Sequence, residues 1–155
     1  MGLPEIGHFA GLCRSLRETM NQSDDPKKIL FVCLGNACRS QLAEALARRR
    51  GDGKLKVWSG GVYPLGWIPL EVDRVLSEKG IGLEDQWSKG LEDVPLAEMD
   101  LIVKMDSSIV LPLPASFSGR IVSWEVPDPF GRDLEYHRDV RDLIDEKLGA
   151  LLAEL

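Results

Sequence analysis

Residues 33–40 combine a cysteine and an arginine at a spacing that suits attack on a phosphate monoester. The segment reads Cys-Leu-Gly-Asn-Ala-Cys-Arg-Ser and follows the apolar run 29–32. This order predicts a buried strand that ends at Cys33, a tight loop, and a helix that begins near Ser40. Backbone N–H groups and the positive end of a helix dipole converge on such a loop and favour an anion there. Arg39 adds a planar guanidinium that can bind two phosphate oxygens at once.

Three other loop residues fit the same chemistry. Gly35 allows backbone conformations that other residues avoid, and Asn36 tolerates the left-handed region. Successive N–H groups can then face one concavity. Ser40 can donate a hydrogen bond to a thiolate at Cys33 and so stabilise it. The loop therefore offers a nucleophile, an anion site and a fixed positive charge.

The elements that must position this loop form an alternating pattern of strands and helices. Strands are predicted at 28–33, 55–59, 101–103 and 120–123, and helices at 41–50, 69–79 and 134–155. Such alternation implies an α/β fold, a three-layer sandwich with a four-stranded parallel sheet and helices on both faces. Ligands bind at the carboxyl ends of the strands in these sheets, which is where the Cys33 loop lies.

The first part of the chain is predicted to be an addition to this domain. Apolar residues at helical spacing predict an extra amphipathic helix over 4–20, and a polar linker follows it. We therefore expect an N-terminal extension and linker at 1–27 and a catalytic domain at 28–155.

Composition excludes several classes of partner. The 155 residues carry a net charge of -6, which argues against nucleic acid or an anionic membrane as the main partner. No stretch is long enough to span a bilayer, and no signal peptide is recognisable.

The three cysteines are odd in number and suggest reduced thiols, so the expected location is the cytoplasm. The spacing of Cys33 and Cys38 matches half of a zinc site, but no second pair of ligands follows.

Several segments together resemble the low-molecular-weight protein tyrosine phosphatase family. The loop 33–40 is followed by Ala-Glu-Ala at 43–45, as in that family, and residues 100–106 resemble its third strand. Asp128-Pro129-Phe130 resembles the family's general-acid loop, and Ser59-Gly60-Gly61 takes the place of its Ser-Ala-Gly segment. The resemblance runs from about Lys28 to the C-terminus.

The resemblance implies a mechanism without metal or cofactor. Cys33 would attack phosphorus as a thiolate and form a cysteinyl-phosphate, while Arg39 stabilises charge on the phosphate oxygens. Asp128 would protonate the leaving oxygen and then activate water. Ser59 would support Asn36. The implied substrate-binding residues are Leu34, Gly35, Asn36, Ala37, Cys38, Ser40 and Phe130, and the implied partner is a phosphorylated protein.

This chain departs from the family pattern near the substrate and behind the loop. Gln41 replaces a common proline, and Gln86 matches a histidine often found behind the loop. Ala37 stands where tyrosine-specific members often have a bulky aliphatic residue, and Phe130 is the only aromatic residue of the usual pair. These changes leave the predicted core chemistry in place and leave the substrate open.

Four functions remain to be compared. Phosphotyrosine hydrolysis is the leading prediction. Protein-arginine phosphatases resemble this chain at 128–131 and at 61–63 but usually carry threonine at the position of Ala37. An arsenate reductase would need further cysteines for a thiol relay, and none follows Cys38. A module that only binds phosphate would not need both Cys33 and Asp128.

Overall fold

The computed structural model describes residues 25–155, so the helix predicted over 4–20 lies outside the described residues. The strands are β1 Lys27–Cys33, β2 Leu55–Gly61, β3 Leu101–Lys104 and β4 Arg120–Ser123. The α-helices are α1 Arg39–Gly51, α2 Leu70–Ser77 and α3 Leu134–Ala153. Two short 3-10 helices, Leu91–Asp93 and Leu96–Glu98, precede β3.

The four strands form one parallel sheet in the order β2-β1-β3-β4. Strand β1 lies between β2 and β3 and is wholly apolar over residues 29–32, as expected for a strand covered on both faces. Its last residue, Cys33, is in register with Gly61 at the end of β2. The predicted α/β fold with a four-stranded parallel sheet is confirmed, and the sheet brings the ends of β1, β2 and β3 to one edge.

The two faces of the sheet are covered differently. Ile29, Phe31 and Cys33 point into a core shared with α1, α2 and α3. Leu30 and Val32 point into a smaller core on the opposite face, which is covered by the 3-10 helices and the loop after β3. Helices therefore lie on both faces as predicted, but the second face carries only short ones. Prolines at positions 95, 112 and 114 interrupt this stretch, because proline removes a backbone donor and prevents a long helix.

Helices α2 and α3 are joined by charged side chains at the edge of the larger core. Glu78, directly after α2, accepts hydrogen bonds from Arg138 and Arg141 of α3. Asp133 caps the start of α3 by accepting from the backbone of Tyr136. Within residues 25–155, no helix has the length and apolarity needed to cross a membrane.

Candidate active site

A cavity of about 210 Å³ opens at the carboxyl edge of the sheet, directly above the Cys33 loop. Its floor is the loop itself, and its walls come from the segment after β2 and from the loop before α3. The lining residues are Cys33, Leu34, Gly35, Ala37, Cys38, Arg39, Tyr63, Leu65, Asp128 and Phe130. The structure thus brings the three predicted catalytic residues into one cavity, together with five of the seven predicted substrate-binding residues.

The backbone of the loop is held by hydrogen bonds to its carbonyl oxygens. Asn36 adopts the left-handed conformation with φ 47°. The carbonyl groups of Cys33, Leu34 and Gly35 accept hydrogen bonds from the backbone of residues 62–65. Because these carbonyls are held by the segment after β2, the loop has a backbone geometry in which successive N–H groups can face an anion.

Gly61 makes this arrangement possible at the end of β2. A Cβ atom at this position would lie 2.8 Å from the backbone nitrogen of Asn36 and 2.9 Å from the carbonyl oxygen of Leu34. Those are backbone atoms of the loop and cannot move aside. Strand β2 can therefore approach the loop so closely only because residue 61 is glycine.

The sulfur of Cys33 is buried and has one hydroxyl partner. Its Sγ lies 2.9 Å from Oγ of Ser40, and the side-chain amide of Asn36 donates to the same Oγ at 2.7 Å. An oxygen that accepts from Asn36 is left with its own proton to donate, and the sulfur is the neighbour that can take it. Ser40 therefore stabilises the thiolate form of Cys33, which is the nucleophilic form.

The second cysteine of the loop is in a different electrostatic environment. Burial raises the pKa of the Cys38 thiol to about 12, and the negative charges of Asp128 and Cys33 act in the same direction. Arg39 opposes this shift only in part. Cys38 is therefore a neutral thiol at neutral pH.

Arg39 is anchored on one side and open on the other. Its Nη1 donates to Asp106 at 3.1 Å and to the carbonyl oxygen of Val126 at 3.0 Å. Its Nε is buried and has no hydrogen-bond partner among residues 25–155, and Nη2 lies 3.8 Å from Asp128. The fork formed by Nε and Nη2 is therefore free to bind two oxygens of a tetrahedral anion.

Asp106 joins the site through its contact with Arg39, which the sequence did not predict. Burial raises its pKa, but hydrogen bonds from Ser108 and Arg39 outweigh burial and hold the pKa below its ordinary value. It is thus a carboxylate at neutral pH and orients Arg39. The available signal was its place just after β3, because strand ends in a parallel sheet share one edge.

Asp128 stands at the mouth of the cavity and is half exposed. Pro127 and Pro129 restrict the backbone on either side of it. One carboxylate oxygen accepts from the backbone N–H of Phe130 at 3.0 Å, which leaves the other directed toward Arg39. The arrangement places an ionisable group where a leaving oxygen would emerge from the cavity.

Apolar side chains form a rim around the opening. Phe130 contacts Trp67 edge-on, with ring centroids 5.9 Å apart, and Tyr63 is largely exposed. Leu34 and Leu65 complete the rim and are also exposed. Exposed apolar groups clustered at a cavity mark a surface that contacts a ligand or a partner. Trp67 does not line the cavity itself but supports Phe130, which does.

Asn36 and Ser40, which the resemblance implied as substrate-binding residues, have side chains that do not line the cavity. Both are fully buried beneath the loop. The left-handed backbone at Asn36 turns its amide inward, where Gln41 and the backbone of Lys89 satisfy it. These two side chains position Cys33.

Ser59 also differs from its expected role of supporting Asn36. Its hydroxyl donates to the buried carboxylate of Glu44 at 2.5 Å. That carboxylate also binds Arg48 at 2.6 Å and lies 3.8 Å from the ammonium of Lys89. A buried carboxylate is a stronger acceptor than a neutral amide, which explains the change of partner.

Comparison with known proteins agrees with this geometry. The family model for low molecular weight phosphotyrosine protein phosphatase matches residues 28–155. The glutaredoxin arsenate reductase of Synechocystis sp. is 32% identical over 130 residues, which cover 83% of this chain and 98% of the relative. The arsenate reductase of Brevibacillus brevis is 35% identical over 127 residues, covering 81% of this chain and 93% of the relative.

A solved structure shares the fold as well. The YwlE arginine phosphatase, in a mutant with a phosphorylated active-site serine, is 27% identical and has a TM-score of 0.74. The match covers 83% of this chain and 95% of the phosphatase. The family resemblance of the sequence is confirmed, and this chain belongs to the low molecular weight phosphotyrosine protein phosphatase family.

Proposed function

We propose that this protein hydrolyses phosphotyrosine in protein substrates through a cysteinyl-phosphate intermediate. The proposal rests on the composition of the cavity. Cys33 and Arg39 lie at its floor, and an apolar rim that includes Phe130 surrounds its mouth. A phosphate on an aromatic ring needs both parts, since the anion binds the loop while the ring contacts apolar walls. The cytoplasm is the proposed compartment, because Cys33 must remain reduced.

The first step transfers the phosphoryl group to the enzyme. The thiolate of Cys33 attacks phosphorus, the bond between phosphorus and the tyrosine oxygen breaks, and Asp128 gives its proton to that oxygen. Arg39 and the loop N–H groups bind the equatorial oxygens as negative charge redistributes over them. The tyrosine leaves as a neutral phenol.

The second step releases inorganic phosphate. Asp128, now a carboxylate, takes a proton from water while the water oxygen attacks phosphorus. The bond between phosphorus and Cys33 breaks and restores the thiolate. Ser40 donates its hydrogen bond to the sulfur as a leaving group, which lowers the cost of expelling it.

Protein-arginine phosphatase activity is a second candidate. The structural likeness to YwlE favours it, and the same loop could cleave a phosphorus–nitrogen bond. Ala37 lies in the cavity lining and adds neither a bulky wall nor a hydroxyl. The aromatic rim favours a ring substrate over a guanidinium, although arginine also stacks on aromatic faces.

Arsenate reduction is a third candidate, because the two curated relatives carry that name. Reducing arsenate requires two electrons from thiols. Cys33 would bind the arsenic, but no cysteine follows Cys38 in the sequence. With no relay cysteine after Cys38, the electrons would have to come from an external thiol such as glutathione.

One set of assays separates the three candidates. Purified protein is given a phosphotyrosine peptide, a phosphoarginine peptide, or arsenate with glutathione and glutaredoxin. We expect the largest kcat/KM with phosphotyrosine, and Cys33→Ser should abolish turnover while phosphate binding persists. A larger kcat/KM with phosphoarginine, or thiol-dependent arsenate reduction without phosphate release, would contradict the proposal.

A further inference from the structure

A continuous chain of side-chain hydrogen bonds runs from the surface to the sulfur of Cys33. Gln86 donates to Oε1 of Gln41 at 2.8 Å, and Gln41 donates to Oδ1 of Asn36 at 2.9 Å. Asn36 donates to Ser40 at 2.7 Å, and Ser40 lies 2.9 Å from the sulfur. Gln41 is fully buried, whereas Gln86 is half-buried.

Backbone groups fix the direction of every amide in this chain. The N–H of Lys89 can only donate, so the atom of Asn36 that it contacts must be the oxygen. The carbonyl of Trp87 can only accept, so Gln41 must present its nitrogen there. The carbonyl of Gln41 likewise orients the nitrogen of Gln86. All four hydrogen bonds therefore point their protons toward Cys33.

We propose that Gln41 and Gln86 are positioning residues that strengthen the hydrogen bond from Ser40 to the Cys33 thiolate. They hold Asn36 in its left-handed conformation and polarise its amide, since aligned hydrogen bonds reinforce one another. The amide then keeps the proton of Ser40 on the sulfur. The inference deepens the proposed function and rests on Cys33 being its nucleophile.

The charged groups around the sulfur stay unchanged when neutral Gln41 or Gln86 is replaced by a neutral residue. Arg39, Asp128 and Cys38 share the cavity with Cys33. On the other side, the ammonium of Lys89 lies 3.8 Å from the carboxylate of Glu44. Further charged groups close to these are Asp106 on Arg39 and Arg48 on Glu44. Asp85 and Asp93 act on Lys89, and Glu71 of α2 acts on Cys38.

The test measures alkylation of Cys33 by iodoacetamide across pH, with peptide mass spectrometry to separate Cys33 from Cys38. The variants are Gln41→Met and Gln86→Met, which keep side-chain length but remove the donor. Loss of one such hydrogen bond should lower the alkylation rate about 3- to 10-fold in the acidic part of the profile. The rates should converge with wild type once the sulfur is fully ionised, which a simple loss of access would not produce.

Ser88→Ala is the matched control. Ser88 comes from the same segment as Gln86 and donates to the carbonyl of Gly35 in the same loop at 3.1 Å, but it has no part in the chain. We expect its alkylation profile to match wild type. An unchanged profile in both glutamine variants, or an equal shift in Ser88→Ala, would overturn the proposal.

Two features keep this experiment decisive. Gln86 is half-buried, so its substitution disturbs folding less than a change at buried Gln41. Gln86→Met therefore tests the hydrogen-bond chain even if Gln41→Met fails to fold. Alkylation needs no substrate. A shifted profile in a protein without phosphatase activity would therefore support the role of the hydrogen-bond chain and reject the proposed function. A normal profile with normal phosphatase activity would overturn the role of the two glutamines and support the proposed function.

Discussion

Arg39 and Asp106 form an ion pair of 3.1 Å although they lie 67 positions apart in the chain. Arg39 begins α1 and Asp106 follows β3, and the pairing of β1 with β3 brings them together at one edge of the sheet. The contact uses Nη1 of Arg39, and Nε has no hydrogen-bond partner in the part of the protein that the structure describes. Asp106 thereby determines which side of the guanidinium faces the cavity.

Asp106→Ala should weaken the transition-state contacts of Arg39. A hydrogen bond to a charged group contributes about 1.5–3 kcal/mol, so we expect kcat/KM for an aryl phosphate to fall about 10- to 100-fold. The matched control is Asp100→Ala, which removes a carboxylate that binds the backbone of Lys28 at the opposite end of β3. Equal losses in the two variants would show that the effect is on folding and not on Arg39.

Asp128→Asn should slow substrates with poor leaving groups far more than those with good ones. The amide cannot give a proton to the leaving oxygen, so we expect a loss of about 10²–10⁴-fold with a phenyl phosphate. A nitrophenyl phosphate, whose leaving group is stable as an anion, serves as the internal control. Equal slowing of both substrates in steady-state assays would contradict the role of Asp128 as general acid.

Ala37 variants should change the preference between substrates. Ala37 is nearly buried and lines the cavity, so a larger side chain there changes the shape of the space beside the phosphate. We expect Ala37→Ile to raise kcat/KM for phosphotyrosine relative to phosphoarginine, and Ala37→Thr to do the opposite. One packing contact limits either change to about 10- to 200-fold. If neither variant moves the ratio, residue 37 does not set specificity.

Glu78→Gln should remove a source of acid sensitivity. Hydrogen bonds from Arg138 and then Arg141 lower the pKa of Glu78 from 4.5 to about 2. Its stabilising effect is present above pH 4.5 and is lost as the pH falls from 4.5 toward 2, because the folded state must then take up the proton. Thermal unfolding should show a lower Tm for Glu78→Gln at pH 7 and a smaller difference from wild type near pH 2.

Glu146→Gln is the control for that measurement, since this exposed side chain lies on the same helix as the two arginines. Its Tm should follow wild type across the whole pH range. A constant difference between Glu78→Gln and wild type from pH 7 to pH 2 would contradict the linkage.

The sequence alone was enough to predict the loop at 33–40 and the type of fold. Cys33, Gly35, Asn36, Arg39 and Ser40 lie within eight consecutive residues, so their chemistry depends on one local turn between a strand and a helix. The alternation of apolar runs with amphipathic helices also predicted the parallel sheet from local information. The spacing of apolar residues within each segment indicates which of its faces are buried. The sequence also indicated Asp128, through the two prolines that flank it.

Only the tertiary structure decided which residues support that loop. Asp106, Gln86 and Lys89 reach it from segments more than 40 positions away, and their contacts depend on strand order and on the path of the chain between β2 and β3. The hydroxyl of Ser59 donates to Glu44 and not to Asn36, because the carboxylate of Glu44 is buried beside it. Hydrogen-bond partners in a core are settled by competition among all the polar groups buried together, and that competition exists only once the chain has folded.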